Sequence, residues 1–194
     1  MSKGLRSAAM RCPYCQGPLK PSASECPACR LSYPRTCTLL GAVPRVSPLV
    51  ADTTGTLHAS DHKRVTRRLA RMQRRFPQLV PQVVMHRFPA EHPFSMHVFW
   101  LFNAADFAGT SRRGRENHAL MLAIDPYRME AAIVPGYGLE PFLTRDALDR
   151  LLEQAEPAWQ DQRWTDGLLL ALDGLDMLLE SIAVAEDTGA RGDF

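Results

Sequence analysis

No stretch of about 18 consecutive apolar residues occurs anywhere in this 194-residue sequence, so no transmembrane helix is expected. Residues 1–11 hold a few basic side chains but no apolar run follows them; no secretory signal is expected, and the chain is expected to be soluble and cytoplasmic. The phosphate-cradling pattern G-x-x-x-x-G-K is missing, and no G-x-G-x-x-G follows a strand-like segment. His86, His92, His97 and His118 are scattered over different segments without E-x-x-H or H-x-H spacing, which argues against a catalytic centre built on any one of them. Net charge is only +2, too small by itself to imply a polyanionic partner.

What is present divides into a small cysteine-rich start and a larger remainder. At 45% hydrophobic, the chain can bury one core of roughly 100–150 residues and carry a small accessory module. Four of the five cysteines form Cys12-Pro13-Tyr14-Cys15 and Cys26-Pro27-Ala28-Cys29. This C-x2-C…C-x2-C spacing lets each knuckle present two thiolates while backbone amides bond the sulfurs, and two knuckles complete a closed tetrahedral Zn²⁺ site. A pair of disulfides is the alternative, disfavoured without an export signal. The ten residues Gln16–Glu25 leave room for one small hairpin, with Gly17 and Pro18 as turn formers. So small a piece buries little, and the metal must supply its folding energy. Four thiolates leave no open position, so the zinc is expected to be structural. Such a ribbon contacts protein, caps a neighbour or binds nucleic acid. Cys37 has no partner left and reads as a free, buried or half-buried thiol.

Residues 1–36 are therefore read as the zinc ribbon, and 37–48, with Pro44 and Pro48, as a linker; Pro34 belongs to the same proline-interrupted stretch. Val50-Ala51-Asp52 opens the main domain, assigned to 49–185, with Asp52 at the strand's carboxyl end, where ligands collect in open α/β sheets. The simpler role for Asp52 is to open a turn toward Gly55. Ser60–Phe76 has helical spacing, with Ser60 as a cap and Val65, Leu69, Met72 and Phe76 as the buried stripe. Its other face holds Lys63, Arg64, Arg67, Arg68, Arg71, Arg74 and Arg75, seven cations in 13 residues. That is an ordinary solvated face, a dock for an acidic protein or anionic membrane, or a phosphate contact; Arg64, Arg67, Arg68, Arg71 and Arg75 are the candidate docking residues. Pro81–Arg87 reads as a second strand. Phe94–Phe107 reads as a helix with bulky residues around much of its circumference, to be buried against the sheet or a partner. Residues 109–117 form a basic loop with Arg112, Arg113 and Arg115.

Ala119–Ile124 is an unbroken apolar run suited to a strand buried on both faces. Asp125-Pro126-Tyr127-Arg128 is the turn, and Met129–Val134 returns as an antiparallel strand. Gly136-Tyr137-Gly138-Leu139-Glu140 then places a large amphipathic ring, read as lying at the mouth of the sheet and as a packing or hydrogen-bonding group before a catalytic acid. Arg128 is expected either to pair with Asp125 or Glu140 or to bind an anion, and Glu140 to bond the following helix start. Thr144–Glu156 and Asp161–Ala185 are helices, Pro157 ending or bending the first; Asp166-Gly167 lets the second start close to it. Residues 186–194 read as a loose tail.

An apolar strand, D-x-x-R, a second strand, G-Y-G-L-E and a helix, with Val50–Leu57 and Trp159–Leu168 outside them, resemble the TPM domain over residues 48–183. That domain is shared by thylakoid-lumen proteins of photosystem II repair, bacterial membrane-associated proteins and an acetylcholine-receptor modulator. Here Pro135 lengthens the step before G-Y-G, and Arg145-Asp146 stands where the family often has an earlier acidic residue. The resemblance implies a cleft for Ca²⁺ or Mg²⁺ involving Asp52 and Asp125, joined by Asp146 in a phosphatase reading, with Arg128 holding phosphoryl oxygens; Arg128, Tyr137 and Glu140 would line it.

The fold expected is α/β: a three-layer α/β/α sandwich around a mixed sheet, preceded by a small zinc ribbon. Three functions compete. The first is a non-catalytic accessory module docking on a larger protein complex, free or membrane-bound, through the ribbon and the basic helix. The second is a metal-dependent phosphatase, and the third nucleic-acid binding.

Overall fold

A computed structural model describes residues 11–20, 22–42, 46–105 and 118–189, with side chains described to residue 183. The basic loop expected at 109–117 and Phe107 lie outside these residues. The chain divides into two compact units, Met1–Arg45 with Phe88–Ala105, and Val46–Arg87 with Asp106–Phe194.

In the first unit, the cysteine knuckles are followed by α1 (Tyr33–Leu40). Pro34 sits in the first turn of this helix, where its missing N–H costs nothing, and the Ser32 side chain accepts from the Arg35 N–H as N-cap. The proline read as part of a breaker-rich stretch thus begins a helix, and four residues of the expected linker are its last turn. Cys37 is a half-buried thiol on it. The bulky helix, α3 of the chain, spans Phe94–Ala104 and belongs to this unit. Its Met96 is fully buried in a cluster with Cys12, Cys26 and Leu31, beside the knuckles rather than against the sheet or a partner as its sequence suggests.

The second unit is built on β1 (Val50–Asp52), α2 (Ala59–Arg75), β2 (Val80–Met85), β3 (Ala119–Asp125), β4 (Glu130–Pro135), α4 (Arg145–Gln160) and α5 (Trp164–Gly189). The sheet order is β1-β2-β3-β4. The first three strands run parallel and β4 is antiparallel to β3, which gives the expected mixed α/β sheet. Register sorts its side chains. Val50, Val83, Leu122 and Ile133 stand in one row, and Met85, Ile124 and Ala131 in the next, all on the face that packs against Leu69 and Met72 of α2, Leu148 and Leu151 of α4, and Leu168, Leu172 and Leu175 of α5. The opposite face, with Ala51, Gln82, Val84, Met121 and Ala123, is buried as well, which explains why β3 reads as an unbroken apolar run.

Helix boundaries differ from expectation where local chemistry decides them. Helix α2 begins two residues before the cap would place it: His58 is the N-cap, and no side chain caps the helix. Pro157 lies inside α4 rather than ending it. That residue is exposed, and the helix continues past the one backbone hydrogen bond that its ring removes, to Gln160. At the start of α5, a Cβ on Gly167 would overlap the Trp159 indole, so the absence of a side chain there is what lets α5 lie against α4. Helix α5 runs through Gly189, four residues beyond the expected end.

Candidate functional site

The two knuckles repeat one local geometry. In the first, the Cys12 N–H donates to Gly17 O and the Gln16 N–H to Cys12 O; in the second, the Cys26 N–H donates to Leu31 O and the Arg30 N–H to Cys26 O. The residue after each second cysteine, Gln16 and Arg30, takes φ of 59°. Each knuckle is closed by a bridge, Arg11 with Pro18 and Glu25 with Ser32. The repeat brings Cys12, Cys15, Cys26 and Cys29 together, with all four sulfurs within 4.8 Å of one another. Cys12–Cys29 and Cys15–Cys26 are each 3.6 Å apart, Sγ to Sγ. Four sulfurs about 2.3 Å from a central ion would be about 3.8 Å apart, so the cluster has the dimensions to hold a metal. As free thiols, Cys12, Cys26 and Cys29 are unequal. The Cys29 amide, with that of Ala28, draws Cys26 down to about 7 despite burial, whereas burial pushes Cys29 up to about 12 and also raises Cys12. Crowded sulfurs with so little room for several negative charges suit a cation at their centre. Among the described residues this is the one group of three or more metal-ligating side chains close enough to share an ion.

In the second unit, Asp52, Asp125 and Asp146 are not gathered. Register explains this. Asp52 pairs with Met85 and Met85 with Ile124, so Asp52 and Asp125 end at the carboxyl edge of the parallel strands. Strand β4 then returns antiparallel, pairing Pro135 with Leu120, and the Gly136 N–H donates to Ala119 O. The G-Y-G-L-E turn and Asp146, in the first turn of α4, therefore follow from the opposite edge, a strand length of roughly 20 Å away. The three aspartates expected to share a cation lie at two ends of the sheet.

The two carboxylates at the same edge are engaged locally. Asp52 Oδ1 accepts from the Thr54 N–H at 2.8 Å, the Thr54 hydroxyl at 2.6 Å and the Gly55 N–H at 3.1 Å, and Oδ2 accepts from the Leu57 N–H at 2.8 Å. This is the turn-forming role, built around Gly55 at φ 69°. Asp125 is fully buried and accepts from the N–H groups of Tyr127 at 2.9 Å and Arg128 at 3.1 Å. Arg128 pairs through Nε with Glu130 Oε2 at 2.5 Å. At the other edge, Leu139 and Leu143 are buried and anchor the G-Y-G-L-E turn, but Tyr137 is 68% exposed and lies neither packed nor at the carboxyl edge of the parallel strands. Glu140 is exposed too; the start of α4 is capped by Thr144, whose side chain accepts from the Ala147 N–H.

The family model of the TPM domain matches residues 50–178, a span that holds the four strands with α2, α4 and most of α5 of the second unit and also α3 of the first. The chain belongs to the TPM domain family. The solution NMR structure of the N-terminal domain of a protein from P. gingivalis is similar in fold, with a TM-score of 0.55 at 20% identity, covering 73% of this chain and 94% of that one. The N-terminal domain of a Corynebacterium glutamicum protein matches at a TM-score of 0.49 and 20% identity over 71% of this chain and 86% of that one. A search of curated proteins finds no match.

Within the TPM domain, α2 carries the remaining candidates, and they separate into two groups. Arg68 pairs with Asp173 at 2.6 Å and Asp176 at 3.2 Å; Arg75 pairs with Asp176 at 3.1 Å and with Glu180; Arg64 pairs with Asp61 at 3.2 Å. Arg67 and Arg71 are exposed and make no ion pair among the described residues. Sequence reasoning assigned no role to His86. Continuing the register of β1, β2 and β3 by one residue aligns Thr53, His86 and Asp125 in one row; the His86 N–H donates to Ile124 O, and Thr53 Oγ1 lies 2.7 Å from His86 Nδ1. Burial lowers the His86 pKa, opposed by the charge of Asp125. Only strand pairing reveals this row, since 72 positions separate Thr53 from Asp125 in the chain. No helix among the described residues is long and apolar enough to cross a membrane.

Proposed function

We propose that this TPM-domain protein is a non-catalytic accessory module that docks on a larger protein complex, its cysteine unit held closed by a structural Zn²⁺ ion. The observation that carries the docking reading is the row of exposed cations on α2 without acidic partners among the described residues: Lys63, Arg67, Arg71 and Arg74. Unpaired guanidinium groups set on a rigid helix are pre-organised for carboxylates, and ordering them on binding costs less than ordering a loop. Four thiolates select zinc among common divalent ions through their softness and tetrahedral arrangement. The chemistry at the carboxyl edge favours binding over hydrolysis by a metal-held phosphoryl group, because the Asp52 carboxylate already accepts four hydrogen bonds from its own turn.

The test is native mass spectrometry of the tagged full chain recovered from its own cell extract at low salt, beside a variant with the four cations reversed to glutamate. A discrete complex that forms with the native chain and is lost with the variant is the expected result. Recovery of the native chain without any stoichiometric protein, or as a complex with nucleic acid, would dismiss the reading.

A further inference from the structure

Helix α2 presents three sectors, and the register of an α-helix separates them. At about 100° per residue, Val65, Leu69, Met72 and Phe76 fall within a sector of about 60° that faces the core. Arg68 and Arg75 fall on one shoulder of that sector, where α5 meets them with Asp173, Asp176 and Glu180, spaced i, i+3 and i+7 along one side of the helix. Lys63, Arg67, Arg71 and Arg74 fall within about 80° of one another on the side turned away from the core.

All four are exposed, and none has an acidic partner among the described residues. Lys63–Arg67, Arg67–Arg71 and Arg71–Arg74 are like-charge neighbours at three- and four-residue spacing, each costing about 0.2–0.5 kcal/mol in an isolated helix. On the α5 side the same kind of repulsion, between Arg68 and its neighbours, is offset by acids. On the free side nothing in the described structure offsets it.

We propose that this row docks an acidic α-helix of a partner protein, one with carboxylates at three- and four-residue spacing, so that α2 is clasped on its free flank as α5 clasps it on the other. The inference rests on the docking reading above and names the chemistry of the partner. From Lys63 to Arg74 the row is about 16 Å long, so the partner helix needs about three turns. A helix is favoured over a lipid surface by what the row lacks: helices that lie on membranes set large apolar side chains beside their cations. None of the exposed large apolar residues, among them Tyr127, Tyr137, Phe142, Leu170 and Met177, belongs to α2.

The full chain is titrated by fluorescence anisotropy with a labelled helical peptide whose glutamates match the spacing of the four cations, and with a peptide of the same composition in scrambled order. Vesicles of phosphatidylglycerol and phosphatidylcholine and a random-sequence DNA duplex are run alongside, at about 50 and 300 mM salt. The patterned peptide is expected to bind at least about tenfold more tightly than the scrambled one. That preference should vanish in the K63E/R67E/R71E/R74E variant and return when this variant meets a lysine-patterned peptide. Circular dichroism confirms folding, and a K63Q/R67Q/R71Q/R74Q variant serves if reversal perturbs it. Equal binding of the two peptides, or tighter binding to vesicles or DNA than to the patterned peptide, overturns the proposal. If the peptides fail while the native chain still enters a discrete complex that the reversed variant does not, the docking reading stands and the acidic helix falls; if the reversed variant enters it as well, both fall.

Discussion

The two units are held together by different physics. In the sheet-bearing unit, 25 buried apolar residues form one cluster between the sheet and helices α2, α4 and α5. Around the knuckles of the other unit the cluster has four members, Cys12, Cys26, Leu31 and Met96, two of them cysteines of the four-sulfur group. At about 25 cal/mol per Å² of apolar surface, the first can fold on burial, whereas the knuckle segment, which adds only Cys12, Cys26 and Leu31 to its cluster, lacks the surface to offset its chain entropy. A core spreads its stabilisation over many replaceable contacts; a metal cluster concentrates it in four atoms. The same substitution budget should therefore be catastrophic in one place and graded in the other.

The largest effect follows directly. Removing the ion with a chelator, or replacing one ligand as in Cys26→Ser, should abolish ordered structure at the knuckles, since structural zinc contributes about 10–16 kcal/mol in comparable small modules. Amide exchange at Cys12–Leu31 should rise far more than at Leu120–Ile124 on chelation, and metal analysis of the untreated protein should return one zinc per chain. Knuckle amides that stay protected without metal would break the contrast.

Within the TPM domain, Leu122→Ala comes next. Leu122 is 1% exposed and sits in the middle strand row of the core, so truncation should cost about 2–5 kcal/mol in denaturant unfolding, without loss of fold. Gly167→Ala should cost about 1–3 kcal/mol, because the new methyl meets a rigid indole. Gly174→Ala is a sharper comparison. There a Cβ would meet the terminal methyl of Leu151, which can rotate away, so the cost should be smaller than at Gly167. Equal costs at the two glycines would mean that the Trp159 contact is softer than the geometry implies.

How far the sequence discloses this molecule depends on the range of the interaction involved. The C-x2-C knuckles, the stripe of Val65, Leu69 and Met72, and the hairpin from Ala119 to Val134 are local patterns, and each appears in the structure where the pattern places it. The site at the sheet edges was less legible. Nothing local says that Asp125 and Asp146, only 21 positions apart, end at opposite edges; that follows from β4 running antiparallel and from the loop after it. Seven cations on α2 look alike in sequence, yet α5, about 100 positions later, selects Arg68 and Arg75 for ion pairs, while Arg67 and Arg71 have no acidic partner among the described residues. The Thr53–His86–Asp125 row is of the same kind, a product of parallel register.

That row supports the smallest effect. Burial depresses the His86 pKa below its ordinary value of 6.5, with Asp125 only partly opposing it. The folded protein therefore binds this proton less readily than the unfolded chain. His86 contributes its full stability above about pH 6.5, and that contribution is lost as pH falls through the unfolded value toward the depressed folded one. Unfolding free energy measured between about pH 7.5 and 5 should decline for the native protein and decline less for His86→Gln, with the two curves drawing together at acid pH. A native curve that rises on acidification would mean that Asp125, rather than burial, governs the imidazole, and would recast the row as a charged pair at the edge of the sheet.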